Sequence, residues 1–261
     1  MTLLKHELRQ GRAALLIWAG CVGGLVALCV FLFPSMKGQL DQVGEVFASM
    51  GSFTAAFGMD RLSFGTLIGF YAIECGNILS LGGAFFAALC GVGMLCKEER
   101  DHTAEFLLTQ PVSRARIVGE KLLAVLAQVA ALDLAVFALA VASIAAIGES
   151  VPWKELGLLH LAYLLLQLEL AGICFGISAF VRRASAGIGL GLAALLYFLN
   201  LAANIADEAA FLRYLTPFAY CEAADILAEG RLDGPLVAIG AALTLAGVAA
   251  AWLRYTTKDI R

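Results

Sequence analysis

The chain has 261 residues, 61% of them apolar and 15% charged, with a net charge of −3. A soluble globule is nearer half apolar and a quarter charged, so a water-soluble domain is excluded. Eighteen basic residues against 21 acidic ones leave no basic field for nucleic acid. The class is an integral membrane protein.

The charges punctuate the chain. Arg12 to Lys37 encloses 24 uncharged residues, and Arg61 to Lys97 encloses 35 with one charge, Glu74. Lys121 to Glu149 encloses 27 around Asp133, and Glu155 to Arg182 encloses 26 around Glu169. Arg183 to Asp207 encloses 23 and Asp233 to Arg254 encloses 20, both without charge. A spanning helix needs about 20 apolar residues, so six segments qualify. The expected fold is an all-α membrane protein in a single domain, with six transmembrane helices at about 13–34, 72–96, 118–147, 156–181, 185–206 and 235–253. The 35-residue run is too long for one span, which places Leu62 to about Ile73 outside the membrane or at its surface. The first apolar run is too long for a cleavable leader.

Lys and Arg set the orientation. Thirteen lie at the N-terminus, in 97–121, at Arg182 and Arg183, and at the C-terminus, against five in the other loops. Both termini are therefore expected in the cytoplasm. Gly65xxxGly69, Gly172xxxGly176 and Gly187xxxGly191 suit close helix packing, within the chain rather than between subunits. The seven cysteines lack CxxC spacing and read as packing residues. His6, His102 and His160 are dispersed, and no metal site is expected.

The loop 97–117 between the second and third spans is the most charged stretch. Asp101 is a candidate N-cap for a short helix over Ala104–Leu108, which Pro111 ends. Ser113 is placed to cap the next helix, anchored by Arg114 and Arg116. Phe106, Leu107 and Leu108, exposed on a short helix, want a partner groove or a lipid surface.

Glu98-Glu99-Arg100, Thr103, Glu105-Phe106-Leu107-Leu108, Pro111-Val112-Ser113-Arg114 and Lys121 together resemble the loop motif of type-2 ABC transporter permeases. The resemblance implies that this segment is a coupling helix docking on a separate ATPase. Glu7-Leu8-Arg9 with Gly11-Arg12 resembles the family's interfacial N-terminal helix, over 1–12. Leu212-Arg213-Tyr214-Leu215-Thr216-Pro217-Phe218 with Tyr220 resembles its segment after the fifth span, with Thr216 where Ser is usual and Cys221 where Phe is usual. The chain carries no GxxxxGK[ST], so ATP and Mg are expected in the partner and no cofactor on this chain. The resemblance further implies two ATPase copies and a second permease chain, as homodimer or heterodimer. It also implies export, a multi-pass location in a bacterial or archaeal plasma membrane, and no catalytic residue here.

Asp133 and Glu169 are mid-span acids, which cost about 2.5–3.5 kcal/mol on insertion scales. Counted from a turn at Pro152, they lie at similar depth on neighbouring spans. One reading has them meet, sharing a proton or cation beside the translocation path. The other has each protonated and bonded separately, through Gln128, Gln167, Tyr163 or backbone. Glu74 is expected to reach the outer interface. Asn200 and Asn204 form a polar stripe at helical spacing, as packing groups or path residues. A short amphipathic helix is expected over Leu215–Leu227. An ion-coupled secondary transporter using Asp133 and Glu169 is the alternative function. An intramembrane protease lacks the needed acid–His or Ser–His arrangement.

Overall fold

The computed structural model describes residues 2–37, 51, 54, 56–59, 61–109, 111–181 and 185–257, without the side chains of Leu108 and Asp207. Arg182, Arg183, Lys258 and Arg261, counted above for orientation, lie outside the described residues, as does most of the 34–61 loop.

Among the described residues six helices are long and apolar enough to cross a membrane. Helix α1 is Thr2–Met36 and α2 is Leu67–Val92; the short α3 (Lys97–Arg100) and α4 (Ala104–Thr109) follow. Then come α5 (Arg114–Ala146), α6 (Trp153–Ser178), α7 (Ala186–Ile205), α8 (Ala223–Glu229) and α9 (Gly234–Thr257). Two 3₁₀ segments, Asp207–Leu215 and Ala219–Cys221, connect α7 to α8. Among the described residues there is no strand.

Three boundaries differ from those read off the sequence. Segment 1–12 is not a separate helix. It continues into the first span as one 35-residue helix, because Gly11 alone does not break it and Glu7 and Leu4 are tied to α3 and α5. The second span starts at Leu67, where Thr66 Oγ1 accepts the Gly69 N–H at 3.2 Å, so Leu67–Ile73 is helical. A π turn over Tyr71–Cys75 lies inside it. The expected helix 215–227 is broken. Thr216 is extended before Pro217, which lacks an N–H and disfavours helix at the residue before it.

Helix α6 is the centre of the bundle. It packs along α2 on one side and α9 on the other, while α1 lies along α5 and α7 against α2. In its most apolar 18-residue stretch 67% of α6 is buried, against 22% for α1 and α7 and 17% for α9. The last three therefore present apolar faces outward, as helices do toward lipid. Gly172 and Gly176 let α6 approach α9. A Cβ on Gly176 would stand 2.9 Å from the Gly247 carbonyl oxygen, so this pair serves packing within the chain.

Candidate functional site

Helices α3 and α4 form a platform at one end of the bundle. Helix α2 stops at Val92, and the buried Met94, Leu95 and Cys96 seat the turn that follows against α6. Ser178 Oγ accepts the Leu95 N–H at 3.4 Å. The chain reverses between α3 and α4 at His102, in the left-handed region at φ 56°. Thr103 N–H donates to the Glu98 carbonyl at 2.9 Å, which closes the reversal. Asp101 does not cap α4. It pairs with Arg100 at 2.9 Å, and that guanidinium holds its carboxyl below the usual range. Ser113 caps α5 as expected, accepting the Arg116 N–H at 3.3 Å.

A knot of charges holds the platform to the bundle. Lys121 on α5 is fully buried, and its Nζ donates to Glu98 Oε1 at 2.5 Å, Glu98 Oε2 at 2.6 Å and the Met94 carbonyl at 2.5 Å. Glu7 on α1 is also buried. It pairs with Lys97, and its Oε1 lies 3.9 Å from Lys121 Nζ. Gln10 accepts a further bond from Lys97 at 2.8 Å. Glu120 bridges the Leu4 N–H at 3.0 Å and Arg116 at 2.8 Å. Arg114 reaches the Thr256 carbonyl of α9 at 3.5 Å. Buried charges persist only when paired, so these contacts weld α1, α3 and α5 at this end.

What the platform leaves outside is as informative. Phe106 is 73% exposed, and Thr103, Glu105 and Pro111 are exposed around it. Leu107 turns inward and packs against the cluster containing Ile117 and Phe175. Glu99 is half-buried, and the Leu108 side chain lies outside the described residues. The platform thus presents a bare aromatic ring on a firmly anchored base.

The mid-bundle acids do not meet. Among the described residues, Asp133 bonds His160 Nδ1 at 3.3 Å, and His160 Nε2 lies 2.8 Å from the Tyr71 hydroxyl. Glu169 Oε2 accepts from the Tyr220 hydroxyl at 3.0 Å, and Gly240 on α9 leaves room for its carboxylate. The reason is helical phase. His160 and Glu169 are nine residues apart on α6, hence on opposite faces and about 13 Å apart along the axis. Depth matching put Asp133 opposite Glu169, whereas α5 meets the His160 face. The partners are also not Gln128, Gln167 or Tyr163. Glu74 lies on the exposed side of the π turn.

Asn200 and Asn204 converge on one acceptor. Both amide nitrogens donate to Glu222 Oε1 at 2.6 Å. Burial raises the Glu222 carboxyl above its usual range, and these two bonds act against the rise.

The family model for ABC-2 family transporter protein matches residues 1–260. The chain belongs to the ABC-2 transporter family. It is a multi-pass membrane protein and a membrane component of transport, not itself catalytic. Comparison with curated proteins returns no match. Within this permease, sequence reasoning named Lys121 and Tyr220 only as motif residues and missed the Glu7–Lys97 and Lys121–Glu98 pairs, the Tyr220–Glu169 bond and the contacts of His160, Tyr71 and Glu222. The asparagine spacing i, i+4 was a signal for a shared acceptor. His160 carried none, because its partners come from two other helices.

Proposed function

We propose that this permease is the transmembrane half of an ATP-driven exporter, powered by a separate ATPase that docks on loop 98–114. The observation that carries this reading is Phe106, exposed on a platform whose Glu98 is bonded to the buried Lys121. An exposed ring gives a partner its anchor, and the Glu7–Lys97 and Glu98–Lys121 pairs pass movement of the anchor directly to α1 and α5. The platform end faces the cytoplasm, in agreement with the Lys and Arg count. ATP and Mg act in the partner, present in two copies, and this chain binds neither. The outward apolar faces of α1, α7 and α9 suit lipid and a second permease chain. The membrane is a bacterial or archaeal plasma membrane.

Transport is then a population shift between inward- and outward-open states, driven by ATP binding in the partner. Glu98, Glu99, Arg100, Thr103, Glu105, Phe106, Leu107, Leu108, Pro111, Ser113 and Arg114 form or support the docking surface. Asp133, Glu169, Glu74, Asn200 and Asn204 are candidates for the path. Reconstitution with the ATPase tests the reading: Glu99→Lys and Pro111→Leu lower cargo-stimulated ATP hydrolysis while the permease still inserts. Unchanged hydrolysis in both variants overturns it.

A further inference from the structure

At the end of the bundle opposite the platform, α2, α6 and α7 meet beneath α8 around a cavity of about 40 Å³. Its polar lining is Asn77, Ser80, Tyr163, Tyr197, Asn200 and Glu222. One water needs about 10–15 Å³, and a pocket for an organic ligand about 300 Å³ or more. The space therefore admits an ion or a few waters and no organic cargo.

The hydrogen-bond inventory decides its chemistry. The Asn200 and Asn204 amides both donate to Glu222 Oε1 at 2.6 Å. Asn77 Nδ2 donates to the Ile73 carbonyl at 2.9 Å, and the Ser80 hydroxyl to the Asn77 carbonyl at 3.3 Å. The Tyr197 hydroxyl donates to Asn77 Oδ1 at 3.4 Å. Each of these donor groups makes at least one bond to a protein acceptor, Tyr163 excepted, and one N–H of Asn77 and one of Asn200 are left over. Two acceptors are left open. Asn200 is 4% exposed, and its Oδ1 is buried with no hydrogen-bond partner. Among the described residues Glu222 Oε2 accepts no bond and no cation lies within ion-pair distance of Glu222, Arg61 acting on it only from farther off. Both nearby guanidinium groups are held by Asp225, Arg61 at 2.5 Å and Arg213 at 2.9 Å.

A small cavity with one carboxylate outside any ion pair, a buried amide oxygen without a partner and the Tyr163 hydroxyl oxygen suits a hard monovalent cation. One carboxylate balances one charge, and divalent sites draw on more oxygen ligands or keep several waters. We propose that this cavity binds one Na⁺ or K⁺ ion, held by Glu222, Asn200, Asn77 and Tyr163. The ligands come from α2, α6, α7 and the residue before α8, so the ion closes this end of the bundle and stabilises it by mass action. The site is independent of the ATPase reading, and its test needs no partner.

The full-length chain is purified in detergent at fixed pH and ionic strength, and choline, too large for the cavity, is replaced stepwise by Na⁺ or K⁺. The thermal midpoint of the wild type rises and saturates with at least one of the two ions. Glu222→Gln abolishes the rise. Tyr163→Phe, which keeps the ring and its packing, increases the half-saturating concentration about fivefold, the equivalent of one lost hydrogen bond. Equal midpoints in all three salts overturn the proposal. So does an undiminished response in Glu222→Gln, or, where that variant does not fold, an unchanged half-saturating concentration in Tyr163→Phe.

Discussion

Lys121, fully buried, and Glu98 form a two-pronged ion pair, with Nζ at 2.5 and 2.6 Å from the two carboxylate oxygens. Removing the amine leaves Glu98 and Glu7 facing each other without their shared cation. Lys121→Met therefore destabilises the fold by about 3–5 kcal/mol, the usual consequence of breaking a buried pair from one side. Thermal unfolding in detergent checks this. The double variant Lys121→Met with Glu98→Leu recovers part of the loss, and a double variant as unstable as the sum of both singles contradicts the pairing.

Phe106 supports no packing of its own, so Phe106→Ala changes stability by about 0.5 kcal/mol at most. Its effect falls on association instead. ATP hydrolysis by the reconstituted complex drops at least about tenfold, the scale of a 1.4 kcal/mol aromatic anchor. Full hydrolysis with the alanine in place contradicts the docking role.

The Asp133–His160–Tyr71 chain joins α5, α6 and α2. Tyr71→Phe removes one bond and lowers stability by about 0.6 kcal/mol, the average for a hydrogen bond between membrane helices. His160→Leu leaves the buried Asp133 without its partner and lowers stability by more, about 1–3 kcal/mol. Chemical denaturation checks the order. A larger loss for Tyr71→Phe than for His160→Leu contradicts it.

Much of the architecture was legible in the sequence because membrane helices announce themselves by apolar length. The Ser113 cap and the α4 helix were legible from local chemistry. The partners of Asp133 and Glu169 were not, since they depend on which face of α6 meets which neighbour. Charge spacing carries depth but not rotation. The Glu7–Lys97 and Glu98–Lys121 pairs join residues 90 and 23 positions apart, and no local pattern encodes them. The family segment around Phe106 was visible as a motif, but that Leu107 turns inward while Phe106 stays exposed needed the fold.

Glu222 makes stability depend on pH. Burial raises its carboxyl above the ordinary value of 4.5, with Asp225 adding to the rise and Asn204, Asn200 and Arg61 opposing it. The folded state then binds the proton more tightly than the unfolded chain. The stabilisation is complete below the unfolded value and is lost as pH rises through the folded one. In choline buffer the wild type therefore gains stability as pH falls toward 4.5, and Glu222→Gln flattens that part of the profile. Identical profiles for the two proteins contradict the assignment.

Recovery of a partner through Phe106 tests the central claim most directly. Tagged wild-type permease and Phe106→Asp are extracted from the native host in mild detergent, and co-purifying proteins are quantified by mass spectrometry. The docking account predicts stoichiometric recovery of a protein carrying GxxxxGK[ST] with the wild type and its loss with the variant, both permeases being equally folded. Equal recovery with both, or no such protein with the wild type, would contradict it.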